Sequence, residues 1–118
     1  MMHKHLQALG RLPVGVMNKS EKEFSEYLES LRISGQIHAW KFEPEKFRLA
    51  NNCYYTPDFF TLRADGTVEF FEVKGYWQDD AKIKLKVVAE QFPWYRFTAA
   101  YKRTKKDGGG WRFESFSP

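Results

Sequence analysis

The stretch YYTPDFFTLRADGTVEFFEVKG, residues 54–75, holds two β-rich runs on either side of Ala64-Asp65-Gly66. Aromatic and branched residues suit a pleated, half-buried surface. Asp-Gly supplies the positive φ that a tight hairpin turn demands. The runs are therefore expected to pair antiparallel, as strands over 53–62 and 67–74. Residues two apart on a strand share a face. Glu72 and Lys74 then point with Val68 and Phe70, while Glu69, Phe71 and Val73 point the other way. Folding back at 64–66 carries Asp58 toward the 72–74 region. Pro57 cannot donate to a ladder, so a bend or bulge is expected beside Asp58.

Charges inside such runs need a reason. Singly, Asp58 reads as a turn residue after proline, and Glu72 with Lys74 as a solvated stripe on an antiparallel sheet. Together they read differently. Two carboxylates converging in a partly buried place repel each other unless a cation sits between them. Hard oxygen ligands suit Mg²⁺, with Mn²⁺ as a substitute, and Mg²⁺ keeps several waters and takes phosphate oxygens from its substrate. Lys74 can orient or help deprotonate an attacking water, or neutralise charge building on a phosphate. Asp58, Glu72 and Lys74 are thus candidates for phosphodiester hydrolysis.

Outward from the hairpin, residues 19–34 read as a helix with an apolar stripe of Phe24, Tyr27, Leu28 and Leu31. Asn18 with Glu21 and Ser20 with Glu23 both fit a capping box, and Gly35 ends the helix. QIHAWKFE, residues 36–43, alternates as a strand up to Pro44, and 46–50 extends it or forms a short strand. A second helix is expected over 79–92, opened by Asp79 or Asp80 and closed before Pro93. Its core face is Ala81, Leu85, Val88 and Phe92, with Ile83 and Val87 nearly opposite. Residues 94–101 and 111–116 read as strands flanking KRTKKDGGG. The expected fold is a mixed α/β domain of order α-β-β-β-α-β with an extra C-terminal strand. It covers residues 18–118 behind a mobile arm over 1–17, where Gly10, Pro13 and Gly15 interrupt any pattern. No internal repeat or interdomain linker is visible.

Composition bounds the classes. The chain has 118 residues, enough for one modest core. Its 18% aromatic content argues against disorder. No apolar run is long enough to span a membrane, and the N-terminus lacks a signal-peptide pattern. Cys53 is the only cysteine, so no internal disulfide forms and a reducing, cytoplasmic setting is expected. Cys53 itself reads as a strand residue, and His3 and His5 as terminal residues without a role. The net charge of +4 is compatible with a polyanionic partner, nucleic acid above all.

Pro57-Asp58, then Glu72-Val73-Lys74 across an Asp-Gly hairpin, resembles the PD-(D/E)xK nuclease signature, and the element order is similar to that superfamily's restriction-endonuclease-like core. Tyr55-Thr56-Pro57-Asp58-Phe59 and Glu72-Val73-Lys74-Gly75-Tyr76-Trp77 resemble more closely the phage endonuclease I family of Holliday-junction resolvases. The likeness covers residues 18 to about 100. It implies a Mg²⁺-dependent endonuclease acting on branched DNA, phage-encoded and working in the host-cell cytoplasm. It implies Asp58 and Glu72 as metal ligands, with the Val73 carbonyl as a further one. It also implies a glutamate from the first helix, and both Glu21 and Glu23 flank the apolar stripe. A cap at Ser20 would occupy Glu23 and free Glu21, which the resemblance also favours. The family works as dimers, so a homodimer is implied, with Ile83 and Val87 as a candidate seam.

Basic residues surround the expected site. Lys82, Lys84 and Lys86 on the second helix are candidates for DNA-backbone contact or an ordinary solvated face. Lys102, Arg103, Lys105 and Lys106 form a candidate flexible clamp on the backbone. Tyr76 and Trp77 read as a core edge or as a stacking platform. The rival readings are a flap, nicking or restriction-like nuclease on the same core, and a non-catalytic nucleic-acid-binding or inhibitor module with a vestigial site.

Overall fold

The computed structural model describes residues 15–75 and 79–118. In chain order the elements are α1 (Lys19–Ile33), β1 (Ile37–Phe42), β2 (Phe47–Ala50), β3 (Cys53–Tyr55), β4 (Phe59–Arg63), β5 (Val68–Lys74), α2 (Asp79–Gln91), β6 (Arg96–Lys102) and β7 (Trp111–Ser115). The main sheet has five strands in the order β1-β4-β5-β6-β7. β5 and β6 are parallel and the other neighbours antiparallel. The main sheet and its helices thus follow the α-β-β-β-α-β order with a strand added at the C-terminal end.

The β4–β5 hairpin closes at Ala64-Asp65-Gly66. Gly66 takes φ 89°, the Arg63 N–H donates to the Thr67 carbonyl at 2.8 Å, and the Asp65 carboxylate accepts from the Thr67 N–H at 2.9 Å. The register sets Phe59 opposite Phe71 and Thr61 opposite Glu69. One step further places Asp58 level with Glu72.

Alternation along the strands splits the core into two layers. Phe24 and Leu28 of α1 pack with Ile37, Phe59, Phe71 and Ala100 on one face of the sheet. Leu85 and Val88 of α2 pack with Phe70, Phe97 and Ala99 on the other. Phe24 is the hub of the first layer, its ring centroid 5.2 Å from that of Phe71 and 4.9 Å from that of Trp111.

The structure departs from the sequence reading, or decides between its alternatives, at several points. The strand expected over 53–62 is broken at Thr56–Asp58, where Pro57 interrupts the ladder, into β3 and β4. β3 then pairs with β2 as a separate two-stranded sheet, Phe47 opposite Tyr55, which rests on α2. The cap of α1 is Asn18 and not Ser20: its side chain accepts from the Glu21 N–H at 2.8 Å, and Glu21 accepts in return from the Asn18 N–H at 2.9 Å. Val87 packs against the α2-side core, leaving Ile83, 61% exposed, as the outward residue of the expected seam. At the N-terminal side, Gly15 N–H bonds the Glu43 carboxylate at 3.0 Å and Met17 packs on the α1-side core. The rest of the expected arm, with His3 and His5, lies outside the described residues, as do Tyr76 and Trp77. Among the described residues no helix is long and apolar enough to cross a membrane.

Candidate functional site

The C-terminal ends of the parallel pair β5 and β6 open at the same edge as the start of β4. Glu72 stands there on the α2 side of β5 and is only 8% exposed. Its carboxylate is held from two directions. The Tyr55 hydroxyl donates to Oε1 at 2.6 Å, and the Lys74 ammonium lies 3.0 Å from Oε2. Asp58, half-buried after the break at Pro57, accepts the Val73 N–H on Oδ2 at 2.8 Å. The hairpin therefore brings Asp58, Glu72 and Lys74 together, with the Val73 backbone between them.

The electrostatics reflect crowding of negative charge. Burial first, then the charge of Glu72, pushes the Asp58 carboxyl up to about 8, against the opposing pull of the Val73 N–H and Lys74. Burial raises Glu72 as well, opposed by Lys74 and by the Tyr55 hydroxyl. Burial and the Glu72 charge push the Tyr55 phenol well above its ordinary value, so it remains a donor.

The helix glutamates separate in space. The charge of Glu21 reaches both Asp58 and Glu72 and raises each. Glu23 turns to β6, where it pairs with the Lys102 ammonium. Glu21 is thus the helix carboxylate whose charge is felt at the pair, while its side chain serves the cap.

These groups fit a hard divalent cation. When both are ionised, the two clustered carboxylates with one ammonium hold an excess of negative charge in a poorly solvated place, and a cation that displaces the Asp58 proton relieves it. Among the described residues no set of three or more His, Cys, Asp or Glu is spaced to hold a metal by itself. Mg²⁺ does not need one, since water and phosphate oxygens complete its shell.

A family profile described as "Protein of unknown function (DUF1064)" matches residues 15–108. The chain belongs to this family. No curated protein and no solved structure matches it. The DUF1064 match takes in the whole of the hairpin, both helices and β6.

The basic candidates fall into two groups. Lys82 and Lys84 are partly buried on α2 and Lys86 is exposed. Lys102, Arg103, Lys105 and Lys106 are exposed at the end of β6 and in the turn after it. That turn is built rather than slack. Thr104 caps a single 3₁₀ turn over Lys105–Asp107, the Arg103 guanidinium donates to the Asp107 carbonyl, and Gly108 takes φ 102°. The flexible clamp expected here is an ordered turn. It borders a crevice of about 480 Å³ with Gly75, Tyr101 and Arg112, immediately past Lys74.

Two residues escaped the sequence reading. Tyr55 lies on β3, and its partner Glu72 is 17 residues away across a strand break. Only its place ahead of Pro57-Asp58 marked it. Arg112 lies over the Tyr101 ring at 4.0 Å from the centroid, a position set by the β6–β7 register.

Proposed function

We propose that the chain is a metal-dependent DNA endonuclease that hydrolyses phosphodiester bonds, of the kind that resolves branched or junction DNA. The observation that carries this reading is the meeting of Asp58, Glu72 and Lys74 at one sheet edge, with Asp58 pushed up to about 8 by burial and by Glu72. In this reading Asp58 and Glu72 hold Mg²⁺ or Mn²⁺, with the Val73 carbonyl as a further ligand and Glu21 contributing directly or through a water. The bound ion supplies Lewis acidity and makes a bound water acidic enough to attack at neutral pH.

The chain's own groups have separate tasks. Tyr55 donates to Glu72 Oε1 and fixes its rotamer. The Val73 N–H fixes Asp58 through Oδ2. Lys74 neutralises charge at the phosphate and orients the attacking water. Lys102, Arg103, Lys105 and Lys106, with Lys82, Lys84 and Lys86, position the DNA backbone and read no sequence. A homodimer suits paired cuts on a four-way junction, and the host-cell cytoplasm suits a phage-encoded nuclease.

The test is a panel of four-way junction, flap, single-stranded and duplex DNA with Mg²⁺. Wild type should cut junctions best, and Asp58→Ala and Lys74→Ala should remain folded and bind DNA while losing cleavage. Undiminished cutting by Asp58→Ala would overturn the site. Preference for flaps or plain duplex would retain the site and replace the substrate. Light scattering with and without junction DNA tests the dimer.

A further inference from the structure

A second cavity, of about 380 Å³, lies on the α1 face at the far end of the sheet. Glu69 and Lys74 are the near and far markers on β5, about 17 Å apart at 3.3–3.4 Å per residue. The floor of the cavity is a polar row across three strands: Thr61 on β4, Glu69 on β5 and Thr98 on β6, exposed 1, 8 and 4%. Nothing in the proposed cleavage uses them. A buried carboxylate is costly to a small core unless it has partners or a task. Glu69 has partners: the Thr98 hydroxyl at 2.6 Å on Oε2 and the Arg63 guanidinium at 3.1 Å on Oε1. Each oxygen still has capacity for a second donor.

The surroundings narrow the occupant. Tyr27 and Phe113 line one side with ring centroids 6.2 Å apart, which offers apolar surface to a flat ring. The Tyr27 phenol is raised by burial and by the Glu69 charge, which places it in the same electrostatic neighbourhood. Arg63 and Arg96, both exposed, line the rim. Two guanidiniums against one carboxylate leave the cavity with an excess positive charge, which disfavours a cationic ligand and favours an anionic one. The occupant must present adjacent donors to Glu69, a flat body to the aromatic wall and a negative group to the rim. Guanine alone of the common bases presents two neighbouring donors, N1–H and the 2-amino group, whereas adenine and cytosine set an acceptor beside their amino group. The volume falls within the range of small-ligand pockets, about 300–1,000 Å³.

We propose that this cavity binds a guanine nucleotide, with the base edge donating to Glu69, the ring against Tyr27 and Phe113, and the phosphate on Arg96. The nucleotide can be free, or an unpaired guanine in a DNA strand read as extruded bases are, by its pairing edge and by stacking. The site is independent of the metal centre, so its test stands whether or not the chain is a nuclease.

The experiment is calorimetry on the full chain, in chelator and without metal, with 5′-dGMP, dIMP, dAMP, dCMP and dTMP. The expected result is dGMP binding at least about tenfold tighter than the other four, since dIMP lacks the 2-amino donor. Glu69→Gln should weaken dGMP about tenfold or more. Arg96→Ala should weaken dGMP but leave deoxyguanosine unchanged, and because Arg96 is exposed this variant tests the site even if Glu69→Gln fails to fold. Asp58→Asn should bind dGMP as wild type does. A thymidine oligomer carrying one guanine, compared with the plain oligomer, separates the sources: tighter binding that dGMP competes away indicates a strand guanine, and dGMP binding alone indicates a free nucleotide. Equal affinity for dGMP and dAMP, no heat with dGMP at about 5 mM, or unchanged dGMP binding in a folded Glu69→Gln protein would each overturn the proposal.

Discussion

Replacing Asp58 by Asn should make the metal-free protein more stable at neutral pH. The carboxyl is raised from 3.8 to about 8 by burial and by Glu72. Below the lower value both states hold the proton and nothing is lost. As pH climbs from 3.8 toward about 8 the unfolded chain releases the proton while the folded protein retains it, so wild-type stability falls across that window. At pH 7 the difference is about three units, or roughly 4 kcal/mol at about 1.4 kcal/mol per unit. Asn carries no such proton. Its Oδ1 can still accept from the Val73 N–H, but its amide brings new donors that need partners, which offsets about 1–2 kcal/mol. The expected net gain is therefore about 2–3 kcal/mol at pH 7, shrinking to nothing or a small loss near pH 4. Urea denaturation in chelator, followed for both proteins between pH 4 and 8, measures it. Two stability curves that run parallel over that range would refute the reasoning, as would an Asn variant less stable than wild type at pH 7.

The remaining predictions concern the same edge and the core beneath it. Mg²⁺ at about a hundred times its dissociation constant should stabilise wild type by about 2.7 kcal/mol. Thermal melts with Mg²⁺ or chelator should show that shift in wild type and none in Asp58→Ala; equal shifts in both would place the ion elsewhere. Tyr55→Phe strips the donor from Glu72 Oε1 and should cost about 1.5–3 kcal/mol, the range for a hydrogen bond to a charged group. A urea midpoint indistinguishable from wild type would mean that Glu72 finds another donor. Phe24→Ala empties the hub of the α1-side layer and should cost about 3–5 kcal/mol. Loss of less than half of that by chemical denaturation would show the layer collapsing into the gap.

What the sequence disclosed was local or periodic. The Asp65-Gly66 turn fixed the β4–β5 register, and two-residue alternation then put Glu72 on one face and Glu69 on the other. The helix stripe of Phe24, Tyr27, Leu28 and Leu31 likewise holds, with Phe24 and Leu28 fully buried. What stayed hidden depended on distant pairing. Nothing near Phe47 says that it will stand opposite Tyr55 in a sheet of its own. The choice between Asn18 and Ser20 as cap turned on backbone geometry two residues apart, since both carry the correct partner three positions on. Val87 looked outward on a helical wheel of α2 because the wheel ignores how widely the core cluster wraps the helix, and Val87 packs against that cluster. For the candidate site, the meeting of the residues was legible and the supporting contact was not: that Asp58, Glu72 and Lys74 come together could be read from spacing, while the hydroxyl of Tyr55 reaches Glu72 only through the fold.

The small β2–β3 sheet has a consequence for how the site behaves in time. It is short and its ladder is separate from the main sheet; it is held by side chains alone, Phe47 on Phe70 and Phe97 of the main sheet, Leu49 and Tyr55 in the α2-side core, and the Gln91 amide on the Leu49 carbonyl. Such a unit can open by itself at less than the free energy of global unfolding. Each opening withdraws the Tyr55 hydroxyl and admits water to Glu72, while Asp58 and Lys74 stay on the main sheet. Amide exchange in residues 47–55 should therefore run ahead of exchange in β5, and the carboxylate at Glu72 should be the least fixed part of the edge. The hold on the Glu72 carboxylate would then be set by the breathing of the nine residues 47–55 rather than by the stability of the domain that carries them.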